Sequence, residues 1–252
     1  MTTTTTVFAA LDFGPVWEMR SELLKGIWTM ALISVVSFAL AIVGGLILAG
    51  MRQSRSIPIS WAGFLLIQVL RGIALYVLLL WLFFGLAAEG GFQFEPIPAG
   101  ILALALLNSA YLAEIFRAGY EAVPAGQKEA ALACGLPRRT WFAKIHLPQV
   151  TQITLPAMGN VFVDIIKDTS ILSAIGVTEL LRESQRWAQF YELPFEFYTA
   201  AALIYVVIVT LVTFGWRRLE RRFGRHLHTA PKVRRSRSLL FGIGARPTTA
   251  ES

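Results

Sequence analysis

The chain has 252 residues, of which 55% are hydrophobic and 15% charged, against roughly 45–50% and 25% in an average soluble domain. A mean hydropathy of +0.58, with the apolar residues gathered in long blocks, excludes an ordinary soluble globule. The net charge of +7 would suit nucleic acid, but its placement excludes that partner, and one cysteine (Cys134) with three histidines (His146, His226, His228) offers neither a disulfide framework nor a metal site.

Residues 1–7 are a threonine-rich run without the basic region or short apolar stretch of a cleaved signal, so residues 1–20 are expected to be a disordered tail. Crossing a ~30 Å hydrocarbon core takes about 20 mostly apolar residues. Residues 27–51 are uncharged and form the first predicted span. Residues 57–88 form the second, interrupted by Arg71, and residues 96–113 the third, ending at Glu114. Residues 147–166 form a weaker fourth span carrying Gln149, Gln152, Asn160 and Asp164, and residues 197–216 an uncharged fifth. The expected fold is an all-α integral membrane protein of about five transmembrane helices, with a transmembrane domain over residues 21–218 and a basic tail over 219–252.

Orientation follows from Lys and Arg. Ten lie after Trp216, five between Arg117 and Lys144, and two at Arg52 and Arg55. Only Arg20, Lys25, Arg182 and Arg186 fall on the other side. The N-terminus is therefore expected outside and the C-terminus inside. Arg217, Arg218, Arg221, Arg222 and Arg225 directly follow the fifth span and read as an anchor on anionic lipid, at about 1 kcal/mol per charge, rather than as a nucleic-acid surface.

The connection between the third and fourth spans, about residues 120–147, is too long for a plain loop. Pro124 suits a helix start, residues 127–134 are good helix formers, and Gly135 is placed for a left-handed C-cap. Leu136-Pro137 opens a second short helix over 138–145, expected to close at Leu147-Pro148. The result is a two-helix cytoplasmic knob.

Glu129-Ala130-Ala131, then Gly135, then Ile145-His146-Leu147-Pro148 resembles the EAA motif of ABC importer permeases at every fixed position. Asn108 to Gly119 (NSAYLAEIFRAG), Arg71-Gly72, and Lys167 to Gly176 (KDTSILSAIG) resemble, in the correct order, motifs of the polar amino-acid uptake branch, the histidine/glutamine/arginine/glutamate-type importers. The resemblance covers about residues 24–218. It implies a non-catalytic transmembrane subunit in the inner membrane, moving a polar amino acid or similar small zwitterion by alternating access. It also implies three kinds of partner: a pair of cytoplasmic ATP-binding subunits, an external solute-binding protein, and a second permease, either another copy or a paralogue. The coupling residues it marks are Glu129, Ala130, Ala131, Gly135, Ile145, Leu147 and Pro148, with Glu129 as polar anchor and the alanines packing in the partner's groove. No Gly-x-x-x-x-Gly-Lys-Ser/Thr string occurs. ATP-Mg therefore belongs to the partner, and this chain is expected to hold no cofactor or metal.

Ionisable groups at membrane depth are costly and face the bundle interior or a pathway. Arg71, Asp164, Lys167 and Asp168 are the candidates. Gln149, Gln152, Pro156, Asn160, Asp164 and Lys167 share one side of the fourth span at 100° per residue. Asn108 and Tyr111 offer hydrogen bonds from the third. Arg71 suits a carboxylate or an internal pair with Glu114 or Asp168. Many relatives follow Arg-Gly with Thr-Pro, whereas here the run is Ile73-Ala74-Leu75-Tyr76; the missing proline is expected to remove a kink. An ion-coupled secondary transporter and a membrane enzyme built on Asp164, Asp168 and His146 are the alternatives. The first lacks an internal repeat and the second lacks a nucleophile or metal cluster.

Overall fold

The computed structural model describes residues 11–224 except 87, 89, 90, 92 and 93, and among the described residues all regular structure is helical. Pro15, with no N–H to lose, sits in the first turn of a short helix α1, Gly14–Glu18, which leads into α2, Arg20–Arg52. Ordered chain thus begins earlier than the expected tail of residues 1–20 allows. The Asp12 carboxylate accepts the Gly14 amide at 2.8 Å, and the Asp12 amide donates to Glu196 at 3.4 Å. Residues 1–10 lie outside the described residues.

Helix α2 packs along α5, Pro96–Glu121, through small residues that let two backbones approach. A Cβ at Gly45 would stand 2.8 Å from the Leu112 Cβ and 3.1 Å from the Ser109 carbonyl oxygen. In the sequence between them come helix α3, Ile57–Gly72, then α4, Leu75–Leu80, and a π turn at Trp81–Gly85. The expected second span is therefore not one helix. Ile73 and Ala74 are both extended, with ψ of 134° and 136°, and the two halves meet at 101°. The absent proline does not remove the bend. Leu75, Leu78, Leu79 and Leu82 line one side of the second half and are buried in the main core with Ala99, Ala103, Leu104 and Leu107, and this burial holds the turned-over segment in place.

Helices α6, Ala125–Ala133, and α7, Arg138–Trp141, form the knob. After it come α8, Leu147–Asp168, a 3₁₀ segment at Thr169–Ile175, α9, Leu180–Tyr191, and α10, Pro194–Gly224. The last helix carries straight on past Trp216, so Arg217, Arg218, Arg221 and Arg222 are helical and the expected tail of residues 219–252 begins with a helical turn. Residues 225–252 lie outside the described residues. Among the described residues three helices, α2, α5 and α10, are long and apolar enough to cross a membrane, and α3 with α4 makes a fourth if the bent pair is one span. Helix α8 is not apolar enough to join them, although its 22 residues reach ~33 Å. Its polar stripe is the reason.

Helix α9 stands where the sequence suggests only a connection. Glu179, 0% exposed, caps it by accepting the amides of Leu181 and Arg182 at 2.8 and 2.7 Å, and accepts the Tyr205 hydroxyl of α10 at 2.8 Å. The backbone at Glu179 and Leu180 lies against Gly26, where a Cβ would stand 2.9 Å from the Leu180 Cα. Glu179→Ala should therefore lower the melting temperature of the detergent-purified protein, since loss of a cap alone costs ~0.5–2 kcal/mol. Tyr205→Phe should lower it less, because the carboxylate keeps both amides. Equal melting of Glu179→Ala and wild type would contradict the capping role.

Candidate functional site

Two features stand out: the knob and the face of α8 above it. Pro124, with φ −59° and ψ 131°, precedes α6 as its cap. At the far end the Leu136 amide bonds the Ala131 carbonyl and the Gly135 amide bonds the Leu132 carbonyl, both at 3.0 Å. With Gly135 at φ +74° this is a Schellman motif. Nothing lies within 4 Å of a Cβ built at Gly135, so the backbone angle, not crowding, requires glycine.

The second knob helix does not close at Leu147-Pro148. Helix α7 passes through a π turn, Phe142–His146, directly into α8. Pro148 has no N–H to donate and its ring crowds the carbonyl four residues back. The wider turn, in which the Leu147 amide bonds the Phe142 carbonyl, absorbs the misfit and lets the helix continue. Gln149 ties this foot to the first knob helix, donating to the Gln127 side chain at 2.8 Å and the Ile145 carbonyl at 3.0 Å.

Of the marked coupling residues, Glu129, Ala130, Gly135, Leu147 and Pro148 are exposed and Ile145 is half-buried. Ala131 differs from expectation. It is 7% exposed and turned into the chain, so of the knob's alanines Ala130 and Ala133 are the ones open to a partner. Leu147 and Pro148 also border an apolar cleft of ≈730 Å³ with Leu219 and Phe223 at the end of α10. At the knob's root, Arg117 bonds Glu114 at 2.8 and 3.1 Å and Glu121 at 2.8 and 2.9 Å. Glu114 is therefore spent on Arg117 and not on Arg71.

On α8 the polar side chains Asn160, Asp164 and Lys167 are exposed on the single chain and Asp168 is half-buried. Asp164 and Lys167 pair at 2.7 Å. Arg71, at the bend of the broken helix, is exposed and lies over the Tyr111 ring at 5.4 Å; neither an Arg71–Glu114 nor an Arg71–Asp168 pair forms. Asn108 is not brought to this face. It is 4% exposed and its amide donates to the Leu104 carbonyl at 2.8 Å, one turn back in its own helix.

Three features escape a reading by hydropathy. The Trp216 indole of α10 donates to the Leu155 carbonyl at 2.8 Å and covers Gly159, next to Pro156. Glu179 has a legible signal, an acidic residue just before an amphipathic run. His146, which lies among the coupling residues without being one of those marked, proves to be 4% exposed.

Residues 41–225 match the family described as binding-protein-dependent transport system inner membrane component. An arginine transport system permease protein (ArtQ) of Bacillus subtilis (strain 168) is 33% identical over 213 residues, 84% of this chain and 97% of the relative. A probable glutamine ABC transporter permease protein (GlnM) of the same organism is 31% identical over 202 residues, 80% of this chain and 93% of the relative. The crystal structure of an amino acid ABC transporter with histidines superposes with a TM-score of 0.79 at 32% identity, covering 84% of this chain and 99% of that chain. The fold, the order of motifs and these likenesses together place the chain in the family of binding-protein-dependent transport system inner membrane components, the transmembrane subunits of ABC importers.

Proposed function

We propose that this subunit carries a polar amino acid or related small zwitterion inward by alternating access, driven by ATP hydrolysed on cytoplasmic partner subunits. The observation that carries this reading is the unbroken helical path from the knob, through the π turn at Phe142–His146, into the helix that bears Asn160, Asp164 and Lys167. A partner that grips the exposed Glu129–Ala130 edge and moves on binding ATP thereby moves the polar face as well. Relatives named for arginine and glutamine support a polar amino acid as cargo. In this reading the chain is a multi-pass inner-membrane subunit with five crossings, α2, the bent α3–α4 pair, α5, α8 and α10, N-terminus outside. The charge distribution supports that orientation.

The same reading requires a second permease. Asp164, Lys167 and Asn160 are exposed on the single chain, and lipid is a costly environment for them; a second copy or paralogue covers the face and encloses a path. An external solute-binding protein delivers the cargo. ATP-Mg sits on the partner, and this chain supplies no cofactor site of its own. The polar face takes part in conduction through Asp164 and Lys167, with Arg71, Tyr111 and Asp168 as further lining groups. Lys167→Met is expected to cut uptake by about tenfold, the size of a ~1.4 kcal/mol effect. The double variant with Asp164→Asn should remain low. Full recovery in the double variant would make the pair a packing device only.

Purifying the tagged chain from its native membrane in mild detergent and identifying what accompanies it tests the assembly. A P-loop ATPase and a second permease are expected. Recovery of the chain alone, under conditions that keep other membrane complexes intact, would overturn the reading. Uptake into vesicles that follows an ion gradient instead of ATP would favour a secondary transporter.

A further inference from the structure

At the foot of the knob one imidazole is shut away from water with nothing to bond. His146 is 4% exposed, and neither its Nδ1 nor its Nε2 has a hydrogen-bond partner; the buried indole Nε1 of Trp141 has none either. Buried polar atoms are almost always paired, and an exception needs a reason. The ring is boxed by aromatics: Tyr120 of α5 edge-on at 4.5 Å, Trp141 of α7 at 4.8 Å and Phe142 of the π turn at 5.7 Å. Lys128 of α6 places its ammonium over the Trp141 ring at 5.9 Å. The end of α5, α7 and the π turn thus meet at this side chain, and α6 reaches the cluster through Lys128 on Trp141. Helix α6 is joined to α5 in sequence by the short turn at residues 122–124, and to the foot of α8 by the Gln149–Gln127 bond.

We propose that His146 is the positioning residue that clamps the knob to the end of α5, that it does so as the neutral imidazole, and that proton uptake from the cytoplasmic side loosens the joint. The inference rests on the coupling reading above and adds to it the place where the coupling is held and a condition that releases it. A neutral imidazole packs among the rings as an aromatic. An imidazolium would bring a second N–H with no acceptor and a charge into an apolar box. Lys128 already stands over the Trp141 ring, the cation site that the indole offers, and its charge repels a second cation beside it. The titratable or charged groups facing the ring are Tyr120 from α5 and Lys128 from α6, and no carboxylate is among them. Burial, and after it the Lys128 charge, hold the His146 pKa below its ordinary value. The unfolded knob then binds more protons than the folded one below the ordinary histidine pKa of about 6.5. The joint is fully stabilised above that pH and weakens as pH falls through it.

The test uses the complete transporter, reconstituted in liposomes with its ATPase and binding protein. Uptake of radiolabelled arginine and glutamine per ATP hydrolysed is measured with the ATPase side at about pH 7.5 and about pH 5.8, either side of the ordinary histidine pKa. Wild type is expected to lose about three- to tenfold in uptake per ATP on acidification. His146→Phe, which keeps a ring and removes both nitrogens, should hold its neutral-pH value at both. His146→Ala should be about tenfold poorer at both while still binding the ATPase. A second measurement needs no variant: hydrogen–deuterium exchange of residues 117–149 in wild type, corrected for intrinsic rate, should rise at the lower pH. The proposal falls if wild type or its exchange is indifferent to pH, if the phenylalanine variant keeps the wild-type acid loss, or if the alanine variant couples normally. Failure of the coupling reading itself would look different: no ATP-dependent uptake by wild type at pH about 7.5, or no ATPase bound to it.

Discussion

Gly135→Leu is expected to abolish most ATP-driven uptake while leaving the chain in the membrane and bound to its partners. The residue sits at φ +74°, a region where a side chain costs ~1–2 kcal/mol, which shifts the population of correctly capped knobs by about 5- to 30-fold. The loss is local. The two Schellman bonds at Ala131 and Leu132 set the angle between α6 and α7, and nothing near Gly135 is crowded, so the rest of the fold has no reason to fail. Gly135→Asn, which tolerates the left-handed region, should retain much of the uptake. Uptake and ATP hydrolysis measured at matched expression check this. Normal transport by the leucine variant would show that the knob angle is not what couples the two.

Gly159→Leu should have the largest effect on stability. A Cβ at Gly159 would clash with Cδ1, Nε1 and Cγ of the Trp216 ring, and that ring is not free to withdraw. Its N–H bonds the Leu155 carbonyl at 2.8 Å, and it packs against Phe38 in a T-shaped pair and Phe162 in a tilted one, at centroid distances of 5.8 and 6.0 Å. Overpacking of this kind costs ~1–3 kcal/mol or more, and here it also forfeits the indole bond. Thermal aggregation of the detergent-purified variant should set in well below that of wild type. Gly159→Ala with Trp216→Leu, which makes room and gives up the bond, should recover part of the loss. If Gly159→Leu alone melts like wild type, α8 and α10 are not held together at this point.

Much of this was legible without coordinates, and the reason is local chemistry. Gly135 after a run of helix formers, with proline two residues on, specifies its own turn, and the structure places it at positive φ. Uncharged runs mark α2 and α10 because lipid exposure leaves nothing else to satisfy. The misreadings have a common cause in long-range packing. In the sequence prolines mark bends and helix ends, yet the chain turns at Ile73–Ala74 without one and passes through Pro148 without stopping. In the first case buried leucines across the core decide the path, and in the second a single wider turn does. Asn108 reads in the sequence as a hydrogen-bonding group of the third span, but a buried amide can satisfy itself on the carbonyl one turn back. Ala131 faces its own chain for a similar reason: which side of a short helix is covered depends on what lies across from it.

The passage of helix from α7 through the π turn into α8 makes residues 138–168 one lever. At 1.5 Å per residue it is roughly 45 Å long, and a tilt of about 10° at the cytoplasmic end would displace the other end by about 8 Å, comparable to the width of a small solute. Its weak point is Pro156, the proline inside α8. That point is splinted from α10, where Trp216 grips the Leu155 carbonyl and the Phe223 carbonyl receives Gln152 at 2.5 Å. The last helix therefore acts as a brace: it ties both sides of the proline to α10 and keeps the lever from folding at its middle, so that in the proposed mechanism a stroke applied at the knob would reach the other end as a swing.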